Sequence, residues 1–276
     1  MAAAPPSEAQ IAAYLARIGF AGAPQANLET LTAIHRGHVE AIPWDNLDVA
    51  LGRPLTRDPA EAFDKLVTRG RGGWCYEMNG LLGWMLEGLG FRLAHLAGAV
   101  DREIRGDTMI GNHLVLLVEL DRTYVADAGF GTGLIKPVPL AEGPIRQGPM
   151  AFRLERLDGD WWRFHNHEGL KPASFDFARS MTDEARLEAR CRWFQTDPKS
   201  HFKGRVVVNT YRGGRLEMLE MPRHNTLDAQ GKRETMVETR EDFAERLAAL
   251  YGADLAEAAE LWEIAAAIPP EPETAG

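Results

Sequence analysis

Cysteine is nearly absent from this chain: two among 276 residues, Cys75 and Cys191, set far apart. So sparse a set offers no disulfide framework, and a chain of this length needs none, because it can bury two or three modest cores. The composition suits a reducing compartment, and the cytoplasm is the expected address. Long apolar runs are missing as well. No charged segment leads into an apolar stretch at the N-terminus, and no run approaches the roughly 20 residues that cross a bilayer, so neither a secretory leader nor a membrane span is expected. Lysine- and arginine-rich runs with interleaved aromatics are also absent. With a net charge of −9, the protein is not expected to bind nucleic acid. A small anion such as a nucleotide-bearing cosubstrate is compatible with that charge, since a few backbone amides and one or two arginines can hold a phosphate locally. There is no internal repeat and no low-complexity block.

What is present changes character along the chain. The first third has helical spacing. Ser7 and Gln10 form a capping-box pattern ahead of Ile11, Tyr14, Leu15 and Ile18. A second helix carries Leu28, Leu31, Ile34 and His38 before Ile42-Pro43 stops it. Asp58-Pro59 starts a third, with Phe63, Leu66 and Val67 on one face and Gly70 at its end. A fourth runs from Cys75 through Met78, Leu81, Leu82, Met85 and Leu89 to Gly90, a spacing that buries one side. From Phe91 the period turns to strands. NHLVLLVEL (112–120) and TYVADAGFG (123–131) form a hairpin across Asp121-Arg122. MAFRLERL and WWRFHNHE form another across Asp158-Gly159, and RVVVNTY and RLEMLEM a third across Gly213-Gly214. Thr182 to Phe194 reads as a helix with a solvated charged face, and two alanine- and leucine-rich helices, Glu241–Leu250 and Leu255–Ile268, precede a proline-rich tail. Helices first, then strands, then a mixed segment indicate an α+β fold with an antiparallel sheet or small barrel.

The residues with chemistry begin at RGGWCYE, 71–77, where Cys75 opens an apolar helix behind Gly72 and Gly73. Alone, such a cysteine reads as a small buried hydrophobe. A helix N-terminus, however, favours a thiolate, and the two glycines let other groups approach the sulfur, so a depressed pKa is expected. A thiolate nucleophile needs a base, and the base needs an acceptor to fix its tautomer. His113 and Asp127 approach the open end of one hairpin. A three-residue turn at 121–123 would turn both side chains to one face, and a two-residue turn would oppose them. Sequence leaves both registers open. An ionisable residue buried among LVLLV or YVA neighbours needs a partner, and a Cys–His–Asp set would satisfy all three.

RGRGGWCYEMNGLL, GNHLVLLVEL and YVADAGFG resemble, in order and spacing, three signature segments of the arylamine N-acetyltransferases. AIPWDNLDVALGRPL (41–55) is similar to that family's IPFENL segment, and SHFKG (200–204) to its later aromatic loop; the likeness runs from about residue 8 to 220. The resemblance implies a cysteine-protease-like Cys75–His113–Asp127 core. It also implies an N-terminal helical bundle (1–90), a central antiparallel β-barrel (91–195) and a C-terminal α/β lid (196–276). The implied reaction is ping-pong: Cys75 takes an acetyl group from acetyl-CoA as cosubstrate, with no tightly bound cofactor and no metal, and passes it to an arylamine, hydrazine or hydroxylamine. Trp44, Val100, Phe130 and Phe202 would line the aromatic acceptor site, with Trp44 standing where relatives usually have phenylalanine. Gly129, Gly131 and Gly133 would keep the cleft wall low for the pantetheine arm of CoA. Tyr76 replaces the phenylalanine common after the nucleophile.

Two other readings share these residues: an amide synthase of the same family acting on a biosynthetic acyl chain, and a cysteine hydrolase or transglutaminase-like enzyme. GFGTG (129–133) follows a strand but lacks the helix and the acidic partner of a dinucleotide fingerprint. His165 and His167 share a strand face at a spacing compatible with a metal, without a third ligand. His35 and His38 lie on a helix near the expected site, and a structural role is expected for both.

Overall fold

The computed structural model describes residues 4–267. Local signals set the helical boundaries. Helix α1 (Glu8–Arg17) is closed by the Ser7–Gln10 capping box, and α2 (Leu28–Ala41) begins where the Asn27 side chain accepts the Thr30 N–H. A two-residue strand, β1 (Trp44–Asp45), and a single turn, α3 (Leu47–Ala50), follow. Helix α4 (Pro59–Phe63) starts on Asp58 as expected and widens into a π-turn over Asp64–Thr68. Helix α5 (Cys75–Gly88) is buried around its whole circumference from Cys75 to Leu86, rather than along one side. The helical spacing alone could not show this, since α5 packs against helices on one flank and against the strands that follow it on the other. Gly83 permits the second contact: a Cβ there would lie 2.6 Å from His95 Nε2.

Strands β2 (Arg92–Val100), β3 (His113–Glu119), β4 (Thr123–Val125), β5 (Val138–Pro139), β6 (Gly143–Gln147), β7 (Met150–Arg156), β8 (Trp161–His165) and β9 (Ser174–Ala178) make one antiparallel sheet in the order β5-β4-β3-β2-β9-β8-β7-β6. A short helical turn, α6 (Arg102–Arg105), lies between β2 and β3. The two edge strands, β5 and β6, are joined only by residues 140–142, so the sheet curls into a nearly closed barrel. Its interior stacks Phe164 on Phe175 (ring centroids 4.9 Å apart), with Phe130, Phe152 and Phe177 around them. Each buried ring contributes about 1.5–3 kcal/mol of transfer free energy.

After α7 (Glu184–Thr196), a second sheet has the order β1-β10-β11-β12-β13, with β10 (Val207–Arg212), β11 (Arg215–Glu220), β12 (Arg223–Asp228) and β13 (Gly231–Met236). Gly213 and Gly214, at φ 57° and 78°, make the expected tight turn between β10 and β11. The hairpin of β12 and β13 is not apparent in the sequence, because RHNTLD and GKRETM are polar and form the sheet's exposed edge. Helices α8 (Arg240–Tyr251) and α9 (Ala258–Ala266) cover this sheet through Phe243, Leu247 and Leu261. Ile268 and the proline-rich tail lie outside the described residues. No helix among the described residues is long and apolar enough to cross a membrane.

Candidate active site

The hairpin register is decided by the pairs Leu117↔Val125, Val118↔Tyr124 and Glu119↔Thr123. They leave a three-residue turn, shifted by one from the expected position to residues 120–122, and Ala126 continues the ladder through Leu116. In that register His113 and Asp127 share a face as diagonal neighbours. His113 Nε2 donates to Asp127 Oδ2 at 2.6 Å, with the two residues 2% and 1% exposed. The other carboxylate oxygen, Oδ1, accepts from Asn79 Nδ2 and from the Gly129 N–H, each at 2.8 Å. Burial alone would push the Asp127 carboxyl up, but the His113 charge and these hydrogen bonds outweigh it and hold the group below the usual carboxylate range. A carboxylate accepts only, so the proton between the two is on His113 Nε2, and Nδ1 is the ring nitrogen left to exchange a proton.

Asn79 was not singled out in the sequence, yet it joins two of these elements. One turn after Cys75, its Nδ2 also donates to the Leu114 carbonyl at 2.6 Å and its Oδ1 accepts the Ala128 N–H at 2.8 Å. An asparagine at i+4 from the cysteine, inside an apolar helix, was the available signal, and the structure buries it fully.

Cys75 is the first residue of α5 and is 6% exposed. Its neighbour Trp74 caps the helix in extended geometry, and Glu77 Oε2 accepts the Trp74 N–H at 3.3 Å. Lys65 Nζ lies 2.9 Å from that same oxygen and 2.8 Å from Asp48 Oδ2, all three side chains being buried. Burial pushes the Glu77 carboxyl up to about 7 despite the lysine. Burial likewise pushes the Cys75 thiol up; Cys191 and Asp127 add to this, and the Leu114 and Tyr76 backbones pull the other way. A thiolate at this depth needs a counter-cation, and an imidazolium backed by Asp127 is the group able to provide it.

Gly72 and Gly73 make room for protein rather than for ligand. Side chains at these positions would overlap Asp45 Oδ2 and Pro43 O in one case and meet Glu77 Oε2 and Leu66 in the other. That space lets Gly73 exchange hydrogen bonds with Pro43 and Asp45, tying the cysteine loop to β1. The 129–133 glycines behave in the same way. A Cβ at Gly129 would sit 2.6 Å from Asn79 Nδ2, one at Gly131 2.9 Å from Asn209, and one at Gly133 3.0 Å from Phe130. Packing thus accounts for their missing side chains, leaving only their backbone for a cosubstrate.

Of the four expected acceptor-site residues, Trp44, Val100 and Phe130 belong to one hydrophobic cluster, and Trp44 joins Phe202 in the next. Trp44 and Phe202 are adjacent (centroids 6.3 Å apart), and the Trp44 indole N–H donates to the Gly129 carbonyl at 2.7 Å, a bond phenylalanine cannot make. Phe130 packs edge-on to His113 at 5.7 Å and inward on Phe175. Val100 is half-buried at the end of β2, bracketed by Asn112, whose amide bonds both its backbone groups. Tyr76 donates to the Gly111 carbonyl at 2.7 Å, fixing the turn that leads to His113. A cavity of about 10 Å³ lies behind Asp127, between Val39, Ile42, Met78 and the glycine loop. His165 is paired with Glu155, and His167 Nδ1 accepts the Ala151 N–H.

A family model described as N-acetyltransferase matches residues 27–260. The chain is 39% identical over 203 residues to the arylamine N-acetyltransferase of Mycolicibacterium smegmatis, covering 71% of this chain and 74% of that one. The chain belongs to the arylamine N-acetyltransferase family. Human arylamine N-acetyltransferase 1 is 38% identical over 215 residues, covering 70% of this chain and 74% of the relative. Among solved structures, the Mycobacterium marinum arylamine N-acetyltransferase in complex with CoA superposes with a TM-score of 0.82 at 28% identity, over 93% of this chain and 97% of that one. The Mycobacterium abscessus enzyme does so with a TM-score of 0.82 at 27% identity, over 96% and 100%. The α+β architecture with its nearly closed eight-stranded barrel is that of the arylamine N-acetyltransferases, and the chain is an acyltransferase.

Proposed function

We propose that this protein transfers an acetyl group from acetyl-CoA to arylamines, arylhydrazines or arylhydroxylamines, with Cys75, His113 and Asp127 as its catalytic triad. The observation that carries the reading is the 2.6 Å His113–Asp127 hydrogen bond, held by Asn79 against the helix that Cys75 opens. Cys75 Sγ gives its proton to His113 Nδ1 and attacks the thioester carbonyl of acetyl-CoA. The carbon–sulfur bond to CoA breaks, and the departing thiolate takes the proton back, leaving acetyl-Cys75 and free CoA. The amine nitrogen then attacks the acetyl carbonyl while His113 accepts its proton. Cys75 leaves as thiolate and is reprotonated. Asp127 stabilises the imidazolium in both halves.

Trp44, Val100, Phe130 and Phe202 are assigned to the amine side of the cleft, and the backbone of Gly129, Gly131 and Gly133 to the CoA side. The chain divides into a helical unit (1–90) bearing the nucleophile, a barrel unit (91–195) bearing base and carboxylate, and a lid unit (196–276). Both cysteines are free, which fits a cytoplasmic address. The test is the intact mass after incubation with acetyl-CoA. An added acetyl group is expected on the native protein and not on Cys75→Ala; an unmodified native protein, or an acetylated alanine variant, would remove the reading.

A further inference from the structure

The loop that carries Asp127 and Phe130 is irregular from residue 126 to 135, so its position depends on side chains from other elements. On α2, His35 is fully buried, and its Nδ1 lies 3.1 Å from the Ile135 carbonyl, where only an N–H can serve. Its Nε2 is buried without a hydrogen-bond partner. The same ring lies near Asp127, and burial lowers its pKa and keeps the imidazole neutral. This histidine thus ties the far end of the loop to α2, while Asn79 holds the near end to α5. A role confined to filling space would be served by an apolar side chain, without leaving a polar nitrogen buried and unpaired.

We propose that His35 is a positioning residue for acyl transfer: its Nδ1–H, bonded to the Ile135 carbonyl, fixes the 126–135 loop so that Asp127 meets His113. This rests on the triad reading above, since His35 touches no reacting atom and acts through Asp127.

Two substitutions separate this from packing. Asparagine carries its amide near the place of Nδ1, glutamine near that of Nε2. In His35→Asn, acetylation of Cys75 by acetyl-CoA should stay within about threefold of native, whereas His35→Gln should be slower by about tenfold to a hundredfold, the effect of a sub-ångström to 1 Å misplacement. The inflection of Cys75 alkylation by iodoacetamide against pH should move in His35→Gln toward that of Asp127→Asn. The double variant His35→Gln/Asp127→Asn should acylate no more slowly than Asp127→Asn alone, because both act on one element. Equal rates in the two single variants, additive losses in the double variant, or loss of the fold by circular dichroism in either would overturn the proposal. A native protein that takes no acetyl group but whose alkylation profile responds to His35→Gln would refute the acetyl-CoA reading while leaving the positioning role intact.

Discussion

Replacing Asp127 by asparagine tests the site with the least structural disturbance. The new side chain keeps an oxygen at Oδ1, where Asn79 Nδ2 and the Gly129 N–H each donate from 2.8 Å. The reversed amide would set its NH2 against both donors, so the orientation is determined. An NH2 group then faces His113 Nε2, which stands 2.6 Å from the oxygen it replaces. Two donors cannot share that distance. The imidazole must therefore move its proton to Nδ1, which leaves no basic nitrogen for the proposed proton transfer from Cys75, and the imidazolium loses its counter-charge as well. Two of three hydrogen bonds survive and the third is inverted, so the fold should lose only about 1–2 kcal/mol. Acylation should fall by about 10³–10⁴, or about 4–5.5 kcal/mol in barrier. Release of CoA in a single turnover reads the rate, and denaturant unfolding reads the stability. A folded variant that acylates within about tenfold of native would refute the tautomer argument.

Alkylation of Cys75 by iodoacetamide should show its inflection at higher pH in Asp127→Asn than in the native protein, because burial then acts on the thiol without an imidazolium to oppose it; an unmoved inflection would break the link between carboxylate and thiol. Asn79→Ala removes partners from Asp127, Leu114 and Ala128 at once, and should cost about 2–4 kcal/mol in denaturant unfolding, against no change if the asparagine were incidental. Glu77 is raised from 4.5 to about 7 in the fold, so its contribution is fully present below about pH 4.5 and is lost as pH rises through 7. Glu77→Gln should cancel up to about 1.4 kcal/mol per pH unit of that fall, and an identical slope in both proteins would contradict the assignment. His38 runs the other way. Burial pushes it down to about 3, so its contribution holds above about pH 6.5 and is lost as pH falls toward 3; His38→Asn should flatten the acid limb of the stability curve, and an unchanged limb would count against it.

Much of the site was legible along the chain. The helix Cys75 opens, the strand His113 opens and the hairpin returning to Asp127 all follow from capping residues, glycine stops and the spacing of apolar residues, which are local physics. So does the requirement that a buried His and Asp be partnered. Other features depended on what lies across the interior. The hairpin register turned on one residue of turn length, a difference too small for local propensity to resolve. The bond from Trp44 to Gly129, the clamp of Asn79 and the contact of His35 with Ile135 join residues 85, 48 and 100 positions apart, distances at which periodicity carries no information. Glycines read as lowering the cleft wall have Asn79, Asn209 and Phe130 where their side chains would be, and burial raises the Cys75 thiol, so the histidine expected to support its thiolate matters more than the helix terminus. Identity and order of the proposed reacting groups were thus determined by the sequence itself. Their protonation and alignment were decided only in the tertiary structure, because desolvation and hydrogen-bond geometry exist only once the chain has closed around them.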